Sequence, residues 1–133
     1  MQIRNLRPFE VEPVRRFLAA NGWAHRVGTA ESFAKLIENS QRTAVALSEK
    51  RVVGFARGIT DGVSNGYLSM VVVSPDYRGK GIGRALVGHV MGSNPEITWV
   101  LRAGRDGAFG FFSKLGFNAS TVAMERQRIQ SVL

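Results

Sequence analysis

The chain alternates between two spacings of its hydrophobic residues. In some segments they recur every three or four positions, which is the spacing of one helix face. In others they form short alternating or continuous runs between polar or glycine-containing breaks, which predicts strands. The helical spacing covers residues 8–20, 29–38, 82–91 and 107–115, and the strand pattern covers 1–6, 43–48, 51–59, 67–73, 97–101 and 122–128.

Small and polar residues mark the ends of these elements. Asn21-Gly22 tolerates left-handed backbone angles and is expected to end the first helix, which leaves Trp23–Gly28 as a loop. Thr29 and Asp106 stand where side-chain oxygens cap helix N-termini. Glu49-Lys50 is expected to form the turn of a hairpin.

The order of elements is β-α-α-β-β-β-α-β-α-β, with hairpins first and βα units later. This order predicts a mixed sheet with helices on both faces, a three-layer α/β (α+β) domain. The continuous apolar run at Val71–Val73 predicts a strand buried on both faces. The expected buried faces of the last two helices are Ile82, Ala85, Leu86 and Val90, and Ala108, Phe109, Phe112 and Leu115, with Gly92 and Gly116 as their ends.

The composition narrows the class of protein. With 133 residues and 44% hydrophobic side chains, the chain is expected to form one domain over residues 1–133. It has no cysteine and two histidines, which excludes disulfides and thiolate metal sites and argues against any metal. No apolar run approaches the roughly 18 residues of a membrane span, and no signal-like region follows Met1. We therefore expect a soluble, cytoplasmic protein.

The net charge of +8 favours an anionic partner. The basic residues are dispersed, however, and aromatic residues are not interleaved with them, so nucleic-acid binding is disfavoured. A small polyanionic ligand would account for the densest group, which is Arg78, Lys80 and Arg84.

A basic, glycine-rich turn joins the strand at 67–73 to the helix at 82–91. The first N–H groups of a helix have no partner within it, and the helix dipole places partial positive charge there. Such a junction suits a phosphate or diphosphate. Gly81 and Gly83 also remove side chains where a phosphate would approach the backbone.

Two common phosphate loops do not fit this turn. A P-loop needs Lys and Ser/Thr after its second glycine, whereas Gly81 is followed by Ile82-Gly83-Arg84. A dinucleotide fingerprint needs its third glycine one position later and an acidic residue about 20 residues on, where Trp99 and Leu101 stand. The diphosphate turn of acyl-coenzyme A binding and a purely structural turn remain, and three alternating glycines flanked by arginines favour the former.

The sequence resembles the GNAT superfamily of N-acetyltransferases over nearly its whole length. The family's Arg/Gln-x-x-Gly-x-Gly/Ala motif is matched by Arg78-Gly79-Lys80-Gly81-Ile82-Gly83, after a Val73-Ser74-Pro75-Asp76-Tyr77 lead-in. The family's second signature, an aromatic pair followed by Lys-Leu-Gly-Phe, is matched by residues 111–117.

The resemblance implies that acetyl-CoA lies in a wedge between two splayed parallel strands, Tyr67–Ser74 and Ile97–Ala103. It implies direct transfer to an amine in a ternary complex, without a covalent acyl-enzyme. The residues that it implies for acetyl-CoA are Val71, Val72, Val73, Arg78, Gly79, Lys80, Gly81, Ile82, Gly83, Arg84 and Phe112.

The chain departs from the family at both usual acid–base positions. The tyrosine that often protonates the leaving thiolate is replaced by Phe112, and the carboxylate often found near Ser69 or Met70 is absent. The thiolate can then leave without a proton from a side chain.

Removal of the amine proton needs another route. Asp61 and His25 are the candidate catalytic residues, and a bound water, Glu10 or Glu12 are alternatives.

The acceptor is expected to be a primary amine of a small molecule or a protein. The positive charge of the chain favours an anionic or neutral acceptor over a polycation. A non-catalytic acyl-CoA-binding sensor or subunit is the alternative function. A homodimer also stays open.

Overall fold

The structure is a computed structural model that describes residues 1–129. Two compact units divide at Arg102 and Ala103, and the expected single domain over residues 1–133 stays a prediction. The second unit contains α5 (Ala108–Lys114). The first unit contains β1 (Gln2–Arg4), α1 (Val11–Leu18), α2 (Ala24–Val27), α3 (Ala30–Glu38), β2 (Arg42–Ser48), β3 (Arg51–Thr60), β4 (Asn65–Val73), α4 (Ile82–Met91) and β5 (Thr98–Leu101).

The first unit is built on one five-stranded sheet in the order β1-β2-β3-β4-β5. The first four strands are antiparallel to their neighbours, and β5 runs parallel to β4. The prediction of a mixed sheet is therefore confirmed. None of the helices among residues 1–129 is long and apolar enough to cross a membrane.

Helices cover both faces of this sheet. On one face, Phe55 of β3 packs in a core cluster with Val14 of α1 and Phe33 of α3. On the other face, a Cβ added to Gly54 or Gly58 would meet α4, at Leu86 or Val90. Because side chains alternate along a strand, α1–α3 and α4 lie on opposite faces. This confirms the predicted three-layer architecture.

Two of the predicted local signals are confirmed. The side chain of Thr29 caps α3 by accepting the N–H of Ser32 at 3.1 Å. Glu49 and Lys50 form the β2–β3 turn with φ of 50° and 67°, the sign that the tightest hairpin turns require.

The prediction of a loop at Trp23–Gly28 is wrong, because residues 24–27 form α2. Asn21 and Gly22 do interrupt the first helix, with φ of −117° and 93°. The Asn21 amide satisfies the carbonyl of Phe17 at 2.8 Å, and the chain resumes helical geometry just beyond. Val27 then joins the core cluster, so burial favours a helical turn where local sequence signals a loop.

The predicted faces of the last two helices need correction. In α4, Ala85 is exposed and Val87 is buried. The helix face that contacts the sheet therefore extends toward Val87 and leaves out Ala85. In α5, Phe109 is exposed. The N-cap of α5 is Gly107 at φ 79°, and no side chain caps this helix, so Asp106 does not have the predicted role.

Two strand predictions also need correction. Burial in β4 alternates and is not continuous, with Leu68, Met70 and Val72 buried and their neighbours half-buried. Met70 and Val72 pack in the core cluster on one face, whereas Val71 and Val73 are not part of it. Residues 122–128 form no strand in the described chain. An alternating pattern does not supply the hydrogen-bonded neighbour that a strand needs.

Trp99 of β5 lies over Gly66 of the neighbouring β4 and Gly58 of β3. A Cβ added to Gly66 would sit 2.5 Å from the indole, and one added to Gly58 would sit 3.2 Å from it. The indole and α4 can therefore approach the sheet only because both positions lack side chains.

Gly66→Ala should therefore lower the free energy of unfolding by about 1–3 kcal/mol, the usual cost of overpacking a core. Gly88→Ala is the matched control, because a Cβ at Gly88 of α4 would meet nothing within 4 Å, and it should raise stability by about 0.5–1 kcal/mol. Denaturant unfolding measures both. Equal unfolding midpoints for the two variants would contradict the close approach of Trp99.

An ion pair joins β1 to the start of α1. The two terminal nitrogens of Arg4 donate to Glu10 Oε1 and Oε2 at 2.9 and 2.6 Å, and the Arg7 amide donates to Oε1 at 2.8 Å. The hydrogen bond from Arg4 is the largest cause of the lowered pKa of Glu10, and burial opposes it.

A lowered pKa in the folded chain means that the Glu10 carboxylate stabilises the fold above its unfolded pKa, about 4.3. That contribution is lost as the pH falls through the folded pKa. Glu10→Gln should destabilise the protein at pH 7, and the difference from wild type should shrink near pH 3. Urea unfolding at both pH values tests this, with Glu12→Gln at a more exposed pair as the milder control. A difference that does not change with pH would contradict the assignment.

Candidate functional site

The strands β4 and β5 are paired over only part of their length. The parallel pairing begins at Asn65 and Thr98 and ends at Leu68 and Leu101. From Ser69 to Val73, β4 remains paired with β3, but its other edge has no strand partner within residues 1–102. This open edge lies where the resemblance implies a wedge for acetyl-CoA, and the space beside it is called the wedge below.

A β-bulge lies at the point where the wedge opens. Arg57 is paired with Ser69 and Phe55 with Val72, so Ala56 stands opposite both Met70 and Val71. Met70 has φ 54°, which is rare for a residue other than glycine. Its burial in the core cluster holds this conformation, and the bulge bends the strand and redirects its peptide groups.

The open edge of β4 presents backbone amides. The N–H of Ser74 donates to Val53 O on β3 at 2.8 Å. Successive amides of a strand point to opposite edges, so the N–H of Val72 points to β3 and those of Val71 and Val73 point to the wedge. Among the three predicted valines, Val71 and Val73 are therefore the two whose amides are available for a ligand.

A second group of free amides lies beyond the glycine turn, at the start of α4. Gly79 and Gly81 have φ of 77° and 82°, and a Cβ at either would meet nothing within 4 Å. The first amide of α4 with a backbone partner is that of Ala85, which donates to Gly81 O at 3.1 Å. The amides of Ile82, Gly83 and Arg84 precede it and have no acceptor within residues 1–129. They suit a diphosphate.

The basic side chains of the turn have different surroundings. Arg78 Nε donates to Val73 O at 3.1 Å, so Arg78 ties the turn to the end of β4. Lys80 Nζ lies 5.2 Å from the centre of the Tyr77 ring. Arg84 is exposed. Lys80 and Arg84 are therefore the cations most available for a phosphate.

Asp61 has a structural role in the β3–β4 turn. Its Oδ1 accepts the amides of Val63 and Ser64 at 2.8 Å each, and its Oδ2 accepts the Ser64 hydroxyl. These hydrogen bonds, led by the hydroxyl, strongly lower the pKa of Asp61. A general base works best with a pKa near the operating pH, so this geometry argues against Asp61.

The glutamate alternatives are engaged in the same way. Glu10 is paired with Arg4. The hydrogen bonds of Glu12, first to Arg15, lower its pKa to about 2. His25 is exposed on α2. Among the predicted proton acceptors, His25 and a bound water are therefore the groups that are not committed to structure.

Phe112 lies in α5 of the second unit. It is buried, and its ring makes edge-on contacts with Phe111 at 4.9 Å and Phe117 at 5.7 Å. These contacts show how the second signature packs within its own unit. Its role toward acetyl-CoA stays a prediction.

Sequence reasoning missed a buried arginine beside the wedge. Arg57 of β3 is 8% exposed, and burial lowers its pKa. Its position opposite Ser69 places it one strand from the open edge of β4. The sequence signal was a single Arg inside an otherwise apolar strand.

A comparison with known families identifies the family of the chain. Residues 39–119 match the family model described as "Acetyltransferase (GNAT) domain". This chain belongs to the GNAT acetyltransferase family. The match includes β2 to α5 and thus both signatures.

Relatives and solved structures agree with this assignment. The chain is 34% identical over 77 residues to the peptidyl-lysine N-acetyltransferase YjaB of Escherichia coli, covering 57% of this chain and 49% of YjaB. This chain spans about half the length, or less, of the curated relatives it matches.

Solved structures show the same fold. The GNAT acetyltransferase SP0256 of Streptococcus pneumoniae aligns with a TM-score of 0.74 at 24% identity, over 95% of this chain and 98% of that one. AAC(6')-Iy in complex with the bisubstrate analogue CoA-S-monomethyl-acetylneamine aligns with a TM-score of 0.72 at 17% identity, over 96% and 98%.

The glycine turn can be tested at Gly81. Gly81→Asn should raise the Kd for CoA about tenfold or more, the effect of losing a charge-assisted hydrogen bond, because the new side chain stands where a phosphate would approach. Asn tolerates the left-handed conformation, so the fold should persist. Calorimetric titration with CoA measures the Kd.

The matched control is Gly62→Asn. Gly62 has φ 75° and lies in the turn at the opposite end of β4. This variant should bind CoA as wild type does. A folded Gly81→Asn protein with unchanged affinity would refute the site.

Proposed function

We propose that this chain transfers an acetyl group from acetyl-CoA to a primary amine in a ternary complex. The observation that carries the proposal is the presence of unpartnered amides on both sides of the glycine turn, at Val71 and Val73 of the open β4 edge and at Ile82, Gly83 and Arg84 of α4. An extended ligand with a diphosphate at one end and carbonyl groups along its length fits these two groups of donors. The GNAT family assignment and the relatives support the same ligand.

The residues at the start of α4 and those on the β4 edge have different roles in this proposal. The amides of Ile82, Gly83 and Arg84 bind the diphosphate, with Lys80 and Arg84 adding charge. Val71 and Val73 donate hydrogen bonds along the wedge, and one of these amides can stabilise negative charge that develops on the thioester oxygen. The bound cosubstrate supplies the activated acetyl group. The wedge then holds the thioester and the amine in reacting geometry.

The proton of the acceptor ammonium leaves through water or through His25. The carboxylates considered for this role are held by arginines or by turn amides. Because Phe112 cannot donate a proton, the thiolate departs without one from that position. We expect slow turnover at neutral pH and a rate that rises with pH as more of the amine is deprotonated.

The acceptor class is a primary amine, either free or on a protein. YjaB is named as a peptidyl-lysine N-acetyltransferase, which makes lysine peptides one arm of any substrate screen. The net charge of +8 favours acceptors that are neutral or anionic.

A second candidate function is an acyl-CoA sensor without catalysis. It is favoured by one observation, the side chains at Ser69, Met70 and Phe112, which supply neither of the usual acid–base groups.

A thiol-release assay with acetyl-CoA separates the two functions. The amine panel contains amino acids, an amino sugar, a polyamine and lysine peptides, and CoA affinity is measured in parallel. Turnover on at least one amine, reduced about tenfold or more in kcat/KM by Gly81→Asn, is the expected result. Tight CoA binding without turnover on any amine would favour the sensor, and absence of CoA binding would refute both.

A further inference from the structure

One buried positive charge in the first unit has no negative partner. Arg57 is 8% exposed, yet within residues 1–129 no carboxylate oxygen lies within 4.0 Å of its guanidinium nitrogens. By contrast, Arg4, Arg15 and Arg16 are all paired with glutamates. A buried charge is costly unless it is paired, so Arg57 needs an explanation.

The guanidinium of Arg57 is oriented from one side only. Its Nε donates to Ser40 Oγ at 2.9 Å, and Ser40 Oγ donates in turn to Leu36 O at 2.8 Å. Its terminal nitrogens Nη1 and Nη2 have no acceptor among the described residues, and neither is sealed from solvent. Ser40 therefore orients the guanidinium of Arg57 through Nε. The two terminal nitrogens, here called the fork, remain without an acceptor among the described residues.

This fork lies beside the wedge. Arg57 is paired with Ser69, which directly follows Leu68, the last residue of β4 that is paired with β5. Opposed residues of antiparallel strands are roughly 5 Å apart at their Cα atoms and share a face. Arg57 is thus a neighbour of the residues whose amides face the wedge.

Arg57 also lies on the face from which an acceptor would approach. It shares a face with Phe55, which packs with α1 and α3, while Gly54 and Gly58 face α4. The diphosphate site is at the start of α4. An amine that attacks the thioester needs the side that the cosubstrate does not fill, which is the face of α1–α3.

We propose that Arg57 is a specificity-determining residue that binds a carboxylate of the acceptor. The substrates would then be amines that also carry a carboxylate, as free amino acids or as lysines beside an acidic residue in a peptide. The inference rests on the proposed acetyl transfer and names its substrate class.

The chemistry of both partners supports this assignment. A guanidinium presents parallel donors in a planar fork that matches a carboxylate, and such bidentate pairs are strong. Burial lowers the pKa of Arg57, and Tyr67 opposes this shift. No carboxylate among the described residues pairs with the guanidinium. An acceptor carboxylate would supply the missing partner.

The test compares acceptors in acid and amide pairs, with each rate expressed per concentration of deprotonated amine, because amidation also lowers the pKa of the amine. Glycine, β-alanine and γ-aminobutyrate are each compared with their amides, and a peptide with Asp beside Lys is compared with its Asn analogue. The free acids also vary the distance from amine to carboxylate. We expect kcat/KM for at least one acid to exceed that of its amide about tenfold or more, since a hydrogen bond to a charged group is worth that factor.

Three variants assign the preference to Arg57. Arg57→Gln should bring the acid-to-amide ratio close to one, mainly by raising KM for the acids. Arg57→Lys should give an intermediate ratio, because an ammonium keeps the charge but lacks the fork. Arg51→Gln removes a charge from the exposed start of the same strand and should keep the wild-type ratio.

Stability gives a readout that separates specificity from structure. Arg57→Gln no longer buries a charge, so its thermal midpoint should equal or exceed that of wild type. A lower midpoint together with an unchanged acid-to-amide ratio would show a structural role and overturn the proposal. If Arg57→Gln does not fold, the ratio measured for Arg57→Lys decides.

The outcomes also separate this proposal from the acetyl-transfer proposal. Acetylation of acids and amides at equal rates by wild type would overturn the role of Arg57 and leave acetyl transfer intact. If no amine is acetylated, glutarate is titrated into the CoA-bound protein. Saturable binding that Arg57→Gln abolishes would support the carboxylate site, and no binding would overturn it.

Discussion

The unpaired edge of β4 is the constraint on which the first unit depends. Backbone amides need partners, and a strand between two full neighbours has none to offer a ligand. Here β5 stops opposite Leu68, and the bulge at Met70 bends the strand where pairing ends. The strand therefore pairs with β3 along one edge and leaves the other without a strand partner in the first unit, while the buried Met70 side chain holds the unusual backbone in place.

The opposite end of α4 is fixed by a separate set of contacts. Arg42 of β2 donates to the carbonyls of Val90 and Met91 at 3.1 and 2.9 Å, and its guanidinium lies 5.9 Å from the centre of the Trp99 ring. One arginine thus joins β2, the C-terminus of α4 and β5. With Gly58 and Gly66 admitting the indole, the helix is held against the sheet, and its free N-terminal amides are presented in a constant position.

The carboxylates of Glu10, Glu12 and Asp61 differ from the guanidinium of Arg57 in how fully the described chain supplies them with partners. Glu10, Glu12 and Asp61 are fully engaged by arginines or turn amides, which holds them ionised and makes them poor proton acceptors. Arg57 is the reverse case, a buried cation without a carboxylate in the described chain. These three carboxylates are therefore committed to structure, whereas the proposed role of Arg57 depends on a carboxylate that the described chain does not supply.

The sequence by itself determined the mixed three-layer class and most of the elements from β1 to α5, and it predicted a phosphate turn, because periodicity and the glycines around Lys80 are local signals. Tertiary structure alone decided the rest. The helix at 24–27 forms because Val27 is buried, and the bulge at Met70 and the partners of Asp61 arise from strand pairing and turn geometry. In the sequence, Arg57 was marked only by its place inside an otherwise apolar strand. Its meaning depends on what surrounds it, and residues distant in the chain, such as Ser40 and Ser69, supply those surroundings.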